Sequence, residues 1–191
     1  MLSFLSLVQN VAPAERKSSG CCFTDGNLYL AGYQPNKKTP SINGIGGHIE
    51  EGETELQAAI RETIEELFEI HPVPPTVLKE IRINVPPREV HTNHSYTIHV
   101  YTFEDLEHML RRIQAYNLQS KVYQKFPTSI GDLVFKRNIS NCRKAEITHL
   151  AVLPFVDHPK ENPLISPYLL SDILFLKKSK NTGKSQINPY L

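Results

Sequence analysis

The stretch "GIGGHIEEGETELQAAIRETIEELFEI", residues 44–70, places Gly44, Gly46, Gly47 and Gly52 within nine positions, ahead of a run that contains no glycine or proline. From Thr54 to Phe68 that run is rich in Glu, Leu, Ala and Gln, which predicts a helix with Thr54 as its N-cap. "HPVPP" at 71–75 stops it. At about 100° per residue, Leu56, Ile60, Thr63, Ile64 and Leu67 fall on one side, and Glu55, Glu62, Glu65, Glu66 and Glu69 on the opposite side. The apolar side is suited to packing on a sheet. The acidic side repeats like charges at i, i+3, i+4 and i+7, and Arg61 stands four residues before Glu65, where it can pair with it.

A solvated face is the commoner reason for glutamates on a helix. Solvated faces usually mix signs, however, and like charges at these spacings cost a few tenths of a kcal/mol per pair. A hard divalent cation would offset the repulsion, since Mg²⁺ and Mn²⁺ take carboxylate oxygens together with substrate phosphates and water. The acidic side then reads as a metal platform, and the glycine run lets backbone approach a ligand closely.

Outward from this core, "GCCFTDGNLYLAGYQP" gives two strands, Gly20–Thr24 and Asn27–Tyr33, joined by a tight turn at Asp25-Gly26. The polar loop "QPNKKTPSIN" leads into the glycine run. "TVLKEIRINV" and "NHSYTIHVYTF" read as strands from their β-branched and aromatic residues. "EDLEHMLRRIQAY" reads as a helix through Leu106, Met109, Leu110 and Ile113. Residues 117–144 carry no clear pattern; "AEITHLAVLPFV" reads as a strand and "ISPYLLSDILFLKK" as a closing helix. The order predicts an α+β, αβα-layered sandwich with a mixed sheet between helices, one domain over 1–180 and a mobile tail over 181–191.

Lys and Arg number 21 against 20 Asp and Glu, a formal charge of +1, so any attraction to nucleic acid or membrane must be local. Cys21, Cys22 and Cys142 supply neither a disulfide framework nor a zinc spacing and fit a reducing, cytoplasmic setting. The opening "MLSFLSLVQNVAPAE" lacks the basic segment of a secretion signal, and no apolar stretch nears the about 20 residues of a membrane span. Oligomeric state is not legible.

The residues from Gly47 to Glu66 resemble the signature of the Nudix hydrolases, G-x5-E-x7-R-E-U-x-E-E-x-G-U with U apolar. Gly47 opens the signature and Glu53, Arg61, Glu62, Glu65 and Glu66 fill every charged position at the required offsets, with Thr63 at the first apolar one. The departures come at the end, where Phe68 stands for the glycine and Glu69 for the next apolar residue, with Ile70 able to take that role after a one-residue insertion. Without that glycine, the helix is expected to run on to His71-Pro72.

The resemblance implies a mixed sheet between helices and water attack on a pyrophosphate bond in a nucleoside diphosphate derivative: a nucleotide, dinucleotide polyphosphate, nucleotide sugar or capped RNA. It implies Mg²⁺ or Mn²⁺ held by Glu62, Glu65, Glu66 and the Gly46 carbonyl, with Arg61 orienting the glutamates and Glu53 supporting the loop. The general base stays open between Glu62 and a carboxylate outside the box, of which Glu146 is the best placed. RNA enters as a capped-end substrate. The alternative is a noncatalytic Nudix module that binds nucleotide or RNA; such modules typically lose box glutamates, and these are kept.

His91, His94 and His99 read as ordinary strand histidines rather than a metal cluster. His48 is suited to a phosphate contact or to exposure. Tyr33, Tyr96, Tyr101 and Phe126 offer faces for a base, with core packing the default for Tyr96 and Tyr101. Asp105 and Glu107 open a helix, where the dipole alone favours acids. Lys121, Lys125, Lys136, Arg137, Arg143 and Lys144 offer a basic patch or a solvated run.

Overall fold

Asp25 closes the first hairpin by accepting the amides of Asn27 and Leu28 on one carboxylate oxygen, at 2.8 and 2.7 Å. The hairpin joins β1 (Ser18–Thr24) to β2 (Leu28–Gln34) in the computed structural model of the protein, which describes residues 17–93, 95–140, 142–155 and 162–181. β3 (Ser41–Asn43) lies antiparallel to the end of β2, and β4 (Ile45–His48) antiparallel to the start of β1. β5 (Glu89–Asn93) and β6 (Tyr96–Thr102) pair antiparallel, and β6 runs parallel to β1 in register from Ser18–Tyr96 to Thr24–Thr102. β7 (His149–Pro154) returns antiparallel along β2. The resulting mixed sheet has the order β3-β2-β1-β6-β5, with β4 beside β1 and β7 beside β2.

Side-chain alternation along the strands gives the sheet two apolar faces. Cys21, Phe23 and Tyr101 point into a core shared with α1 (Glu55–Phe68), α2 (Pro75–Asn84), α3 (Phe103–Ala115) and α4 (Ile130–Phe135). On the other face, Tyr29, Ala31, Ile98 and Val100 pack on Leu169, Ile173 and Leu176 of α5 (Pro167–Asn181). The expected αβα sandwich is therefore present.

Four sequence expectations are corrected. "TVLKEIRINV" is not a strand but most of α2: Pro75 takes the first helical turn, which needs no amide donor, and Val77 and Ile81 bury one face. A strand at Glu89–Asn93 was not foreseen; it is the edge partner of β6. The strand read over 145–156 is confined to His149–Pro154. The box helix does not run to His71-Pro72, because Glu69 adopts a left-handed conformation, φ 54° and ψ 43°, and its amide closes on the Glu65 carbonyl at 2.7 Å.

Ile70, the next residue, is buried in the core, as the one-residue offset requires. Thr54 caps α1 through a reciprocal box with Gln57, as its position predicted. Among the described residues no helix is long and apolar enough to cross a membrane. The segment 1–15, His94 and the tail over 182–191 lie outside the described residues.

Candidate active site

Beyond the exposed Glu55, the acidic side of α1 is largely covered, unlike an ordinary solvated face. One side joins the main core; the other lies against the glycine strand β4. Gly46 has φ +153°, and a side chain there would strike Gly20 and the Tyr96 hydroxyl. A Cβ at Gly47 would stand 2.4 Å from the Glu62 carboxylate. The absent side chain of Gly47 is thus the space that Glu62 fills.

Arg61 is buried and organises the carboxylates around it. Its Nε donates to Glu53 Oε1 at 2.8 Å and Nη2 to Glu53 Oε2 at 3.0 Å, while Nη1 serves Glu62 and Glu65, both at 2.9 Å. Nη2 also donates to the His48 carbonyl at 2.8 Å, tying β4 to the helix. The hydrogen bonds to Glu53 lead the causes that hold the guanidinium far above its ordinary pKa. Burial acts to raise the Glu53 carboxyl, but the bonds from Arg61 and the Glu50 amide outweigh it and leave the group below the usual range.

Glu66 is the deepest carboxylate, 2% exposed. Its oxygens accept the Gln34 side-chain amide and the Gly46 amide, each at 2.9 Å. Burial, then the charge of Glu146, pushes its pKa well above the ordinary carboxylate value. Glu62 is raised too, by burial against the opposing pull of Arg61, with Glu65 and Glu146 adding to the rise. Glu146 approaches from the segment before β7: Gln34 spans from Glu66 to it at 3.4 Å, and Lys37 Nζ stands 2.5 Å from its Oε1.

The structure therefore brings together the catalytic and metal candidates that the signature and Glu146 supplied: Gly46, Glu53, Arg61, Glu62, Glu65, Glu66 and Glu146. Gln34 and Lys37 were missed. Gln34 is a buried polar residue ending an otherwise apolar strand, which is the signal that marks it. Beside this group lies a cleft of about 900 Å³ lined by Lys37, Lys38, Gly46, Gly47, Tyr96 and Asp172, a volume in the range of nucleotide-sized ligands.

The donor set fits a hard divalent cation. Oxygen ligands predominate, and among the described residues the buried Glu66 has no arginine or lysine bonded to it, its partners being two amides. Among the described residues no three His, Cys, Asp or Glu side chains form a ready cage for a metal. Completion by water and substrate phosphate, as Mg²⁺ favours, suits such a partial set.

The remaining candidates lie elsewhere or serve the fold. His99 is buried with both ring nitrogens unpartnered among the described residues, and His91 is bonded to Glu89 at 2.8 Å. His48 is exposed against Ser18. Tyr101 is a core residue, and Phe126 is partly buried with one face stacked on Phe68 at 4.7 Å. Asp105 caps α3 and holds Arg88, and Glu107 accepts the Ile130 amide. The basic run is no single patch: Lys136 pairs with Asp132, and Arg137 turns inward to backbone carbonyls.

A family model described as NUDIX domain matches residues 14–115, more than half of the 191-residue chain. No curated protein matches it significantly. Similar solved structures include a NUDIX hydrolase from Nitrosomonas europaea, 15% identical over 92% of this chain and 95% of that one, TM-score 0.47. A bifunctional NMN adenylyltransferase/ADP ribose pyrophosphatase from Francisella tularensis, complexed with AMP and a Mn ion, is 13% identical over 86% of this chain and 41% of its own, TM-score 0.49. A C. elegans Ap4A hydrolase binary complex is 14% identical over 88% and 98%, TM-score 0.41. With its signature residues gathered around Arg61 and the matched segment spanning them, the chain belongs to the Nudix family of pyrophosphohydrolases.

Proposed function

We propose that the protein hydrolyses a pyrophosphate bond in a nucleoside diphosphate derivative, with Mg²⁺ or Mn²⁺ held by Glu62, Glu65, Glu66 and the Gly46 carbonyl. The observation that carries this reading is the buried Glu66 carboxylate, raised in pKa by burial and by the charge of Glu146 and set against the Gly46 backbone. When bound, such a cation supplies charge neutralisation on the phosphates and Lewis acidity toward the attacking water. Arg61 keeps Glu62 and Glu65 aimed, and Glu53 keeps Arg61 in place. Glu62 is the first choice of general base, since its carboxylate lies against Gly47 on the wall of the cleft. Glu146 is the second. Lys37 and Lys38, at the lip of the cleft, are suited to the distal phosphate of the substrate.

We read residues 1–180 as one catalytic domain; β1 to β7 share one sheet and α5 packs on it, which supports the reading. The test is a panel of ADP-ribose, diadenosine tetraphosphate, a nucleotide sugar, a nucleoside triphosphate and capped RNA. Each is incubated with Mg²⁺ or Mn²⁺, comparing wild type with Glu65→Gln. Turnover of one class, lost in the variant, supports the proposal. Metal-dependent binding with no turnover of any member would overturn it in favour of a binding module.

A further inference from the structure

Glu69 departs from the family pattern twice, by being charged where the signature is apolar and by carrying the left-handed turn that ends α1. Its side chain is buried, and the destination of that carboxylate explains the departure. Oε1 accepts the backbone amide of Glu146 at 3.0 Å, across 77 positions of sequence, and Oε2 lies 3.8 Å from Cys142 Sγ.

Arg137 makes the matching attachment. Its Nη2 donates to the Glu66 carbonyl at 2.9 Å and to the Ile147 carbonyl at 2.6 Å, and its Nη1 reaches the Leu67 carbonyl. The last turn of the box helix is thereby fastened to both sides of Glu146: through Glu69 to the amide of 146, and through Arg137 to the carbonyl of 147. Ala145 and Ile147 are fully buried on either side. Only the Glu146 side chain projects, toward Gln34 and Lys37.

We propose that Glu69 and Arg137 are positioning residues that fix the Glu146 carboxylate opposite Glu66 and Glu62. An apolar residue at 69 cannot accept the Glu146 amide, and a lysine at 137 lacks the planar fork that spans two carbonyls. The proposal rests on the reading of Glu146 as a carboxylate of the metal and phosphate site.

The test is Mn²⁺ affinity of the full chain, read from the paramagnetic resonance signal of the free ion, for Glu146→Gln, Glu69→Leu, Glu69→Gln, Arg137→Lys and the double variant Glu69→Leu/Glu146→Gln. Melting temperatures are recorded alongside. Glu146→Gln and Glu69→Leu should each weaken binding about tenfold, the scale of losses from residues that orient ligands. The double variant should be no weaker than Glu146→Gln alone, because Glu69 acts through Glu146. Glu69→Gln should bind like wild type, its amide oxygen still accepting the 146 amide. Should Glu69→Leu fail to fold, Arg137→Lys gives the same reading.

Multiplied losses in the double variant, or wild-type affinity in both Glu69→Leu and Arg137→Lys beside a weakened Glu146→Gln, would overturn the proposal. Unchanged affinity in Glu146→Gln would show that Glu146 does not face the metal and would overturn the proposal. The box reading would then stand or fall separately, on whether Glu66→Gln loses Mn²⁺.

Discussion

Glu66 concentrates the conflict between stability and activity in a single side chain. An ionised carboxylate taken out of water is costly, and its two amide donors repay only part of that cost. Glu66→Gln keeps the shape and removes the charge. In metal-free protein the melting temperature should stay within about 2–4 °C of wild type, the shift expected per kcal/mol at this size, since relief of the buried charge is opposed by the new amide NH2 facing an N–H donor. Metal-dependent turnover should fall by at least about 100-fold. Scanning calorimetry and initial rates on the same preparation check the pair, and a fall in both quantities, with the melting temperature dropping beyond that range, would mean that Glu66 is a structural acceptor. Gly47 makes the reciprocal case. Gly47→Ala would push a methyl group into the Glu62 carboxylate, so kcat should fall at least about tenfold with little change in melting temperature.

The elements divide by how locally their determinants act. α1 starts where Thr54 and Gln57 exchange hydrogen bonds, a contact three residues long that composition and spacing reveal. Thr54→Ala should therefore cost about 1 kcal/mol in urea unfolding while leaving the turnover of folded molecules near wild type; a large loss of turnover would show that the cap also sets the site. The Arg61–Glu65 pair was legible from its four-residue offset, whereas the part of Glu53 came from the resemblance to the Nudix signature.

α2 was misread because Thr76, Val77, Ile81 and Ile83 favour a strand by composition. The four-residue spacing of Val77, Ile81 and Val85, all buried, together with two prolines at the start, was the stronger signal. Glu69 and Arg137 were illegible as a pair. They meet backbone 70 or more positions away, and the sequence near Arg137 resembles any basic surface run.

At the scale of the whole molecule, acid sensitivity follows from His99. Burial, with no partner for either ring nitrogen among the described residues, lowers its pKa to about 4. The unfolded chain takes up that proton near the ordinary value of about 6.5, so the folded state loses stability as pH falls from there toward 4. Between pH 7 and pH 5 this one ring should cost about 2 kcal/mol. His99→Leu should flatten the fall in melting temperature over that interval, and an unaltered slope would assign it to other groups. Asp172 opposes the trend. Burial raises it to about 6, so its penalty is absent below about 3.8 and grows as pH rises through 6.

The late return of β7 to β2 has a consequence during synthesis. Tyr29, Leu30 and Ala31 await partners that emerge from the ribosome more than 100 residues afterwards. Until then β2 presents one open edge, the kind of surface on which strands of neighbouring chains pair. A cell making this protein therefore has reason to shield the nascent hairpin, and slowing translation between Ala115 and His149 should raise the yield of aggregate rather than of enzyme.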